Sequence, residues 1–212
     1  MQHFLSESRL KTMERIKIND LLADKEKLQK FCNDMANGAV AVVPTDTLYG
    51  FAVSYNSPEA VQKVYNIKNR DARKPLILFI THTKELQELS FVVSEEAGSC
   101  IQKHWPGALT AVLPKPQKGE LANFNFPTVG VRAPNHAALL KLMEILPVRL
   151  LTTSANRSGA PSDTNPDVIA EEFKNEIDWL LDDGILPVGI PSTVADFSSM
   201  PPKILRQGAI TL

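Results

Sequence analysis

Residues 39–50 read Ala39-Val40-Ala41-Val42-Val43-Pro44-Thr45-Asp46-Thr47-Leu48-Tyr49-Gly50. The first five are small or β-branched with no polar interruption, the pattern of a strand buried on both faces. Pro44 closes the run, because proline has no amide for a ladder. A short polar turn follows, and Phe51-Ala52-Val53-Ser54-Tyr55 reads as the next strand. Two hydroxyls and a carboxylate at the end of a buried strand are where small ligands bind in α/β folds. The alternative is a tight turn in which Asp46 and the threonines satisfy loop amides.

Outward from this stretch the pattern alternates between the two periods. Ser57-Pro58-Glu59 predicts an N-cap, a first-turn proline and a first-turn acid, with Val61, Val64, Tyr65 and Lys68 along one helical face. Leu76–Ile80 reads as a buried strand, 94–104 as a helix, and Leu109–Leu113 as a strand closed by Pro114. Thr128–Arg132 predicts a strand, 135–145 a helix, Val148–Thr152 a strand, and Pro166 to about Asn175 a helix. Trp179-Leu180-Leu181 precedes an Asp183-Gly184 turn, and Thr193–Phe197 and Lys203–Arg206 read as late strands. The fold class is α/β with a mixed parallel and antiparallel sheet and flanking helices; strand order does not follow from the pattern.

At 212 residues, with neither linker nor internal repeat, the chain is expected to form a single domain over 17–212. Residues 1–16 mix Ser, Arg, Lys and Glu without an apolar core, which disfavours a secretory signal and predicts a poorly ordered extension. Cys32 and Cys100 are far apart with no C-x-x-C, against a disulfide framework or a zinc knuckle. No apolar run nears 18 residues, so a membrane partner is not expected and a cytoplasmic location is. With 23 basic and 24 acidic residues, the net charge of −1 argues against a broad nucleic-acid surface. Any anion site must then be a local cluster.

Standard nucleotide and hydrolase signatures are missing: no G-x-x-x-x-G-K-[ST], G-x-G-x-x-G, H-E-x-x-H or G-x-S-x-G. His3, His82, His104 and His136 have no metal-ligand spacing. Three further segments carry polar chemistry. Lys68-Asn69-Arg70-Asp71-Ala72-Arg73-Lys74 gathers four cations around one acid beside a buried strand, suited to clamping a polyphosphate or simply to ending a helix. Thr152 to Pro161 is dense in hydroxyl and amide groups, a phosphate cradle or an irregular polar loop. Arg132 closes an apolar strand and needs an anionic partner if buried, either a protein carboxylate or a ligand.

In this order the segments resemble the YrdC/TsaC family of threonylcarbamoyl-AMP synthases. The matching pieces are PTDTLYG (44–50), KNR (68–70) with KPL (74–76), PGALT (106–110), VGVRAPNH (129–136), TSANRSGAP (153–161), PSTVADF (191–197) and LRQGAI (205–210). The resemblance implies a curved, twisted mixed sheet with a large, concave, positively charged cavity. It implies synthesis of L-threonylcarbamoyladenylate from L-threonine, bicarbonate and ATP with release of pyrophosphate, for tRNA threonylcarbamoyladenosine modification.

Carried over by motif, Lys68 and Arg70 are expected as catalytic residues. ATP contacts are expected at Lys68, Arg70, Thr128, Ser154, Asn156, Thr164 and Arg206, and threonine contacts at Thr47, Arg132, Ser154 and Ser192. Mg²⁺ is implied with ATP, and no metal site of the protein's own. Implied partners are the tRNA threonylcarbamoyl-transfer machinery downstream and tRNA itself, with the chain a monomer or weak dimer. Some members have a His in the strand after K-x-R that helps to bind threonine; Phe79 stands there here. The chain stops just after LRQGAI, like the short, single-domain members. Competing readings are a non-catalytic RNA-binding or ribosome-maturation protein, and a divergent paralogue with another small-molecule activity. The latter subgroup tends to lack S-x-N, present here as Ser154-Ala155-Asn156.

Overall fold

In the computed structural model, which describes residues 13–71 and 73–212, ten strands form one sheet. The strands are β1 (Glu14–Lys17), β2 (Ala41–Val43), β3 (Gly50–Ser54), β4 (Ile77–Phe79), β5 (Leu109–Pro114), β6 (Thr128–Arg132), β7 (Leu150–Ser154), β8 (Trp179–Asp182), β9 (Thr193–Asp196) and β10 (Lys203–Arg206). The helices are α1 (Ile18–Ala23), α2 (Lys25–Ala36), α3 (Pro58–Lys68), α4 (Glu85–Glu88), α5 (Glu95–His104), α6 (Ala137–Ile145) and α7 (Pro166–Phe173). Their order across the sheet is β1-β8-β2-β3-β7-β4-β6-β5-β9-β10. The pairing is mixed: β4 runs parallel to β6 and antiparallel to β7, and β5 runs antiparallel to β6 and parallel to β9.

Side-chain alternation gives each face its cover. On one face Leu78, Ile80, Leu109, Ala111, Val129, Val131 and Leu151 pack with apolar residues of α3, α5 and α7. On the other, Ala41, Val43, Ala52, Phe79, Leu150, Trp179 and Leu181 pack with α1, α2 and α6. That second cluster contains no residue of β5, β6 or β9 among those described. The apolar cover of the second face therefore stops at β4, and the site lies beyond it, where Thr110, Arg132 and Ser192 are buried among polar partners.

Local signals explain most element ends. Ser57 accepts from Ala60 N and Pro58 occupies the first turn of α3, whose C-cap Asn69 turns left-handed at φ 49°. Ser94 and Asn165 cap α5 and α7 in the same way. One expectation is corrected. The domain begins before residue 17: Glu14–Lys17 forms β1, in parallel register with Trp179–Asp182, and Arg15 pairs with Asp182 at 2.6 Å. The remainder of the expected extension, residues 1–12, lies outside the described residues. Segment 17–38 also forms two helices, with Phe31, Cys32 and Met35 of α2 buried.

Candidate functional site

The site grows from the loop after β2. Thr45 Oγ1 accepts from Thr47 N and Leu48 N at 3.1 Å each and donates to Leu48 O at 2.6 Å. One buried hydroxyl thus folds the turn, as a Ser/Thr turn does, and sets Thr47 and Asp46 toward β6. Arg132, at the end of β6, is 4% exposed. Its Nη1 donates to Thr47 Oγ1 at 3.0 Å, its Nη2 to Asp46 Oδ1 at 2.6 Å, and its Nε to Gly107 O at 3.0 Å. Of the two partners the sequence left open for Arg132, the protein carboxylate is supplied by Asp46. Each terminal nitrogen still has one N–H to offer.

Around Arg132 lies a cleft lined by Thr45, Thr47, Arg70, Phe79, Ser154, Ser192 and Arg206 among others, with an inner volume of about 120 Å³. Arg70, Arg132 and Arg206 line it and, among the described residues, no carboxylate does. The enclosed volume is small beside the roughly 300–1,000 Å³ of a ligand pocket. It suits a compact polar head, and a longer ligand must continue over the adjoining sheet face. Apolar liners Ile77, Phe79 and Pro75 leave polar recognition to the arginines and hydroxyls.

The cations raise one another's cost. Burial pulls the Arg132 and Arg206 guanidinium pKa values down, and Arg206 adds to the depression at Arg132 as Arg70 does at Arg206. Arg70 is lowered chiefly by burial. It donates Nε to Lys74 O at 3.1 Å and Nη2 to Pro75 O at 3.3 Å, which hold the guanidinium against the cleft. Arg206 Nη2 donates to Ser192 O at 2.8 Å and Ser192 Oγ at 3.3 Å, and Ser192 Oγ also meets Thr110 Oγ1 at 2.8 Å. Three like charges, of which Asp46 pairs one and backbone carbonyls hold the other two, make a site suited to an anion.

Lys68 takes a different place from the one expected. It is 1% exposed and does not line the cleft. Its Nζ donates to Ser154 O at 2.5 Å, Asn156 O at 2.7 Å and Asn156 Oδ1 at 2.9 Å, which uses all three ammonium hydrogens. Burial, then Arg70, brings its pKa down to about 7. Ser154 Oγ donates to the same Asn156 Oδ1 at 2.6 Å, and Asn156 Nδ2 to Ala160 O at 2.6 Å. Lys68 therefore holds the 154–156 loop from beneath, while Ser154 faces the cleft.

Thr128 shares the face of Arg132 at the opposite end of β6, roughly 13 Å away at about 3.3 Å per residue, and is not among the lining residues. Thr164 lies outside the lining as well. Its Cγ2 is 3.5 Å from a Cβ built on Gly189, whose amide donates to Thr47 O at 3.2 Å, so it sits behind the rim. Contributors not singled out from sequence are Thr110, Gly107 and Thr193. Thr193 Oγ1 accepts from Gly208 N at 3.0 Å and Ile210 N at 3.2 Å, fastening the segment after Arg206. PTDT, PGALT, PSTV and LRQGAI held the signal, as polar residues with no other reason to be buried. Among the described residues no group of three or more His, Cys, Asp or Glu could hold a metal ion.

A mixed sheet with a cleft lined by three arginines defines an α/β protein whose site suits a small polyanionic ligand. Residues 33–208 match the Sua5/YciO/YrdC family model, whose description reads "Telomere recombination", and the chain belongs to that family. It is 36% identical over 176 residues to a threonylcarbamoyl-AMP synthase of Pyrococcus abyssi, covering 82% of this chain and 52% of the relative. The chain spans about half the length of the first curated relatives it matches. A putative threonylcarbamoyl-AMP synthase of Methanocaldococcus jannaschii is 32% identical over 93% of this chain and 94% of its own length. The structure of P. abyssi Sua5 complexed with L-threonine superposes with a TM-score of 0.78 at 34% identity, over 93% of this chain and 56% of that one.

Proposed function

We propose that the cleft makes L-threonylcarbamoyladenylate from L-threonine, bicarbonate and ATP, with pyrophosphate leaving. The observation that carries this reading is the convergence of Arg70, Arg132 and Arg206 on one cleft with Thr47, Ser154 and Ser192 between them. The relatives' names and the threonine named for P. abyssi Sua5 support it.

The threonine end is Arg132, with Thr47 and Ser192 on the remaining polar atoms. Asp46 fixes the guanidinium, leaving one N–H on each terminal nitrogen for the amino acid's carboxylate. The phosphate end is Arg70, Arg206 and Ser154, with Asn156 and Lys68 fixing the loop that presents Ser154. The nucleoside continues along β6 toward Thr128, with Thr164 supporting the rim.

Threonine's neutral amine and bicarbonate give an N-carboxylate and water. The carbamate oxygen then attacks the α-phosphorus, and the electron pair of the broken bond leaves with pyrophosphate. Every reactant is anionic, so positioning and charge neutralisation dominate over covalent chemistry. Mg²⁺ enters as part of the ATP complex. The Asp46 carboxylate is spent on Arg132, and a magnesium ion held by substrate phosphates and water would require few protein ligands. The product serves tRNA threonylcarbamoyladenosine modification through a separate transfer machinery.

The test is pyrophosphate release by purified protein with ATP, Mg²⁺ and bicarbonate, with and without L-threonine. Release must depend on threonine, and Arg70→Ala must abolish it while leaving the circular dichroism spectrum unchanged. Release that ignores threonine rejects the reading.

A further inference from the structure

One side chain of the 153–161 segment has no role among the substrate contacts, yet it ties the loop that carries Ser154 and Asn156 to the end of the helix that precedes Arg70. Arg157 Nη1 donates to Ile67 O near the end of α3, and Ser158 N donates to Lys68 O at 2.8 Å. A helix leaves its last carbonyls without internal partners, and a cation there is favoured by the dipole. On its far side Arg157 pairs with Glu176, Nη1 to Oε2 at 3.0 Å, and with Glu172 at 3.4 Å. Its Cζ lies 4.7 Å from the ring centre of Phe173.

The loop thus caps the helix through Arg157 and Ser158, and the helix holds the loop through Lys68 Nζ. The Arg157 side chain is 38% exposed, so each ion pair alone is worth little. A fork that joins a helix carbonyl, two carboxylates and a ring is different, because the planar guanidinium fixes all four in one geometry. Arg70 follows α3 directly, and Ser154 and Asn156 precede Arg157.

We propose that Arg157 is a positioning residue for the phosphate site: it sets the spacing between Arg70 and the 154–156 loop without touching substrate. This rests on the ATP reading of the cleft. Small displacements at such a distance from the chemistry are costly, so the effect falls chiefly on ATP: of the expected threonine contacts Thr47, Arg132 and Ser192 lie on other elements, and Ser154 alone is in the loop.

The experiment is calorimetric titration of Mg-ATP and of L-threonine, separately, into wild type and variants. Arg157→Ala is expected to weaken ATP about tenfold and threonine less than twofold. Arg157→Lys, which keeps the charge and loses the fork, recovers only part of the loss. Unchanged ATP affinity in Arg157→Ala overturns the proposal, as does an equal loss for both ligands. Should Arg157→Ala fail to fold, Glu176→Gln decides: ATP must weaken by a smaller factor, and unchanged affinity overturns the inference. Wild type that binds ATP but releases no pyrophosphate defeats the proposed reaction and leaves the Arg157 comparison standing. Wild type that binds no ATP defeats both.

Discussion

Arg206 Nη2 donates to Ser192 O at 2.8 Å, and among the described residues its guanidinium meets no carboxylate within ion-pair distance. Arg70 depresses its pKa further. Arg206 is thus a charge that no carboxylate among the described residues neutralises, as expected of a residue kept for binding rather than stability. Arg206→Ala should therefore change the unfolding free energy by no more than about 0.5 kcal/mol, the range of a surface substitution. Pyrophosphate release should fall sharply. Urea unfolding and turnover on one preparation check both, and a clear loss of stability would show that Arg206 holds the cleft together.

Arg132 stands in the opposite situation. Its partner Asp46 is 2.6 Å away, and both side chains are largely shielded, at 5% and 15% exposure. Removing one member of such a pair strands the other, so Asp46→Ala should cost about 3 kcal/mol. Asp46→Asn, which keeps an acceptor, should cost less. Denaturant midpoints with unchanged slopes measure it; a cost below about 1 kcal/mol would mean that Gly107 O and Thr47 suffice for Arg132.

Lys68 gives the pH dependence. Its pKa falls from an ordinary 10.5 to about 7 on folding, through burial first and Arg70 second. Below pH 7 folded and unfolded chains both carry the proton, and the cost of burying the charge is fully present. Between about 7 and 10.5 the unfolded chain alone carries it, so stability rises with pH across that window. The difference between wild type and Lys68→Met should show this slope. Activity should move the other way, because a neutral amine has two hydrogens for three acceptors. A pH-independent difference in stability would contradict the assignment.

Gly208 is the one glycine of LRQGAI, and a Cβ there would lie 2.2 Å from Pro191 O and 2.4 Å from Ser192 C. Backbone cannot yield as a flexible side chain does. Gly208→Ala should displace the 191–192 segment, lowering the thermal midpoint and the activity together. A variant with normal turnover would mean that the rim adapts freely.

The fold was legible wherever a run was buried on both faces or carried its own cap. Thr128–Arg132 and Lys203–Arg206 have the expected bounds, α7 opens at Pro166 as expected, and α5 fills all but the first residue of the expected 94–104. Val148–Thr152 is shifted to Leu150–Ser154, because pairing with Gly50–Ser54 rather than hydrophobicity sets the register. Strand β1 escaped notice because four residues of alternating Glu-Arg-Ile-Lys gain strand character only from β8. At the site, the motifs marked the right loops but could not say which side chain faces the cleft. Lys68 and Arg70 are neighbours in sequence, and only the left-handed turn at Asn69 sends one under the loop and the other into the opening.

The central claim is that bicarbonate carbon joins threonine to AMP. Mass spectrometry of a reaction run with ¹³C-bicarbonate, ATP, Mg²⁺ and L-threonine tests it most directly. The account predicts an adenylate that contains both threonine and the labelled carbon, and that disappears in Arg70→Ala. An adenylate of threonine without the label, or none at all beside active ATP hydrolysis, would contradict it.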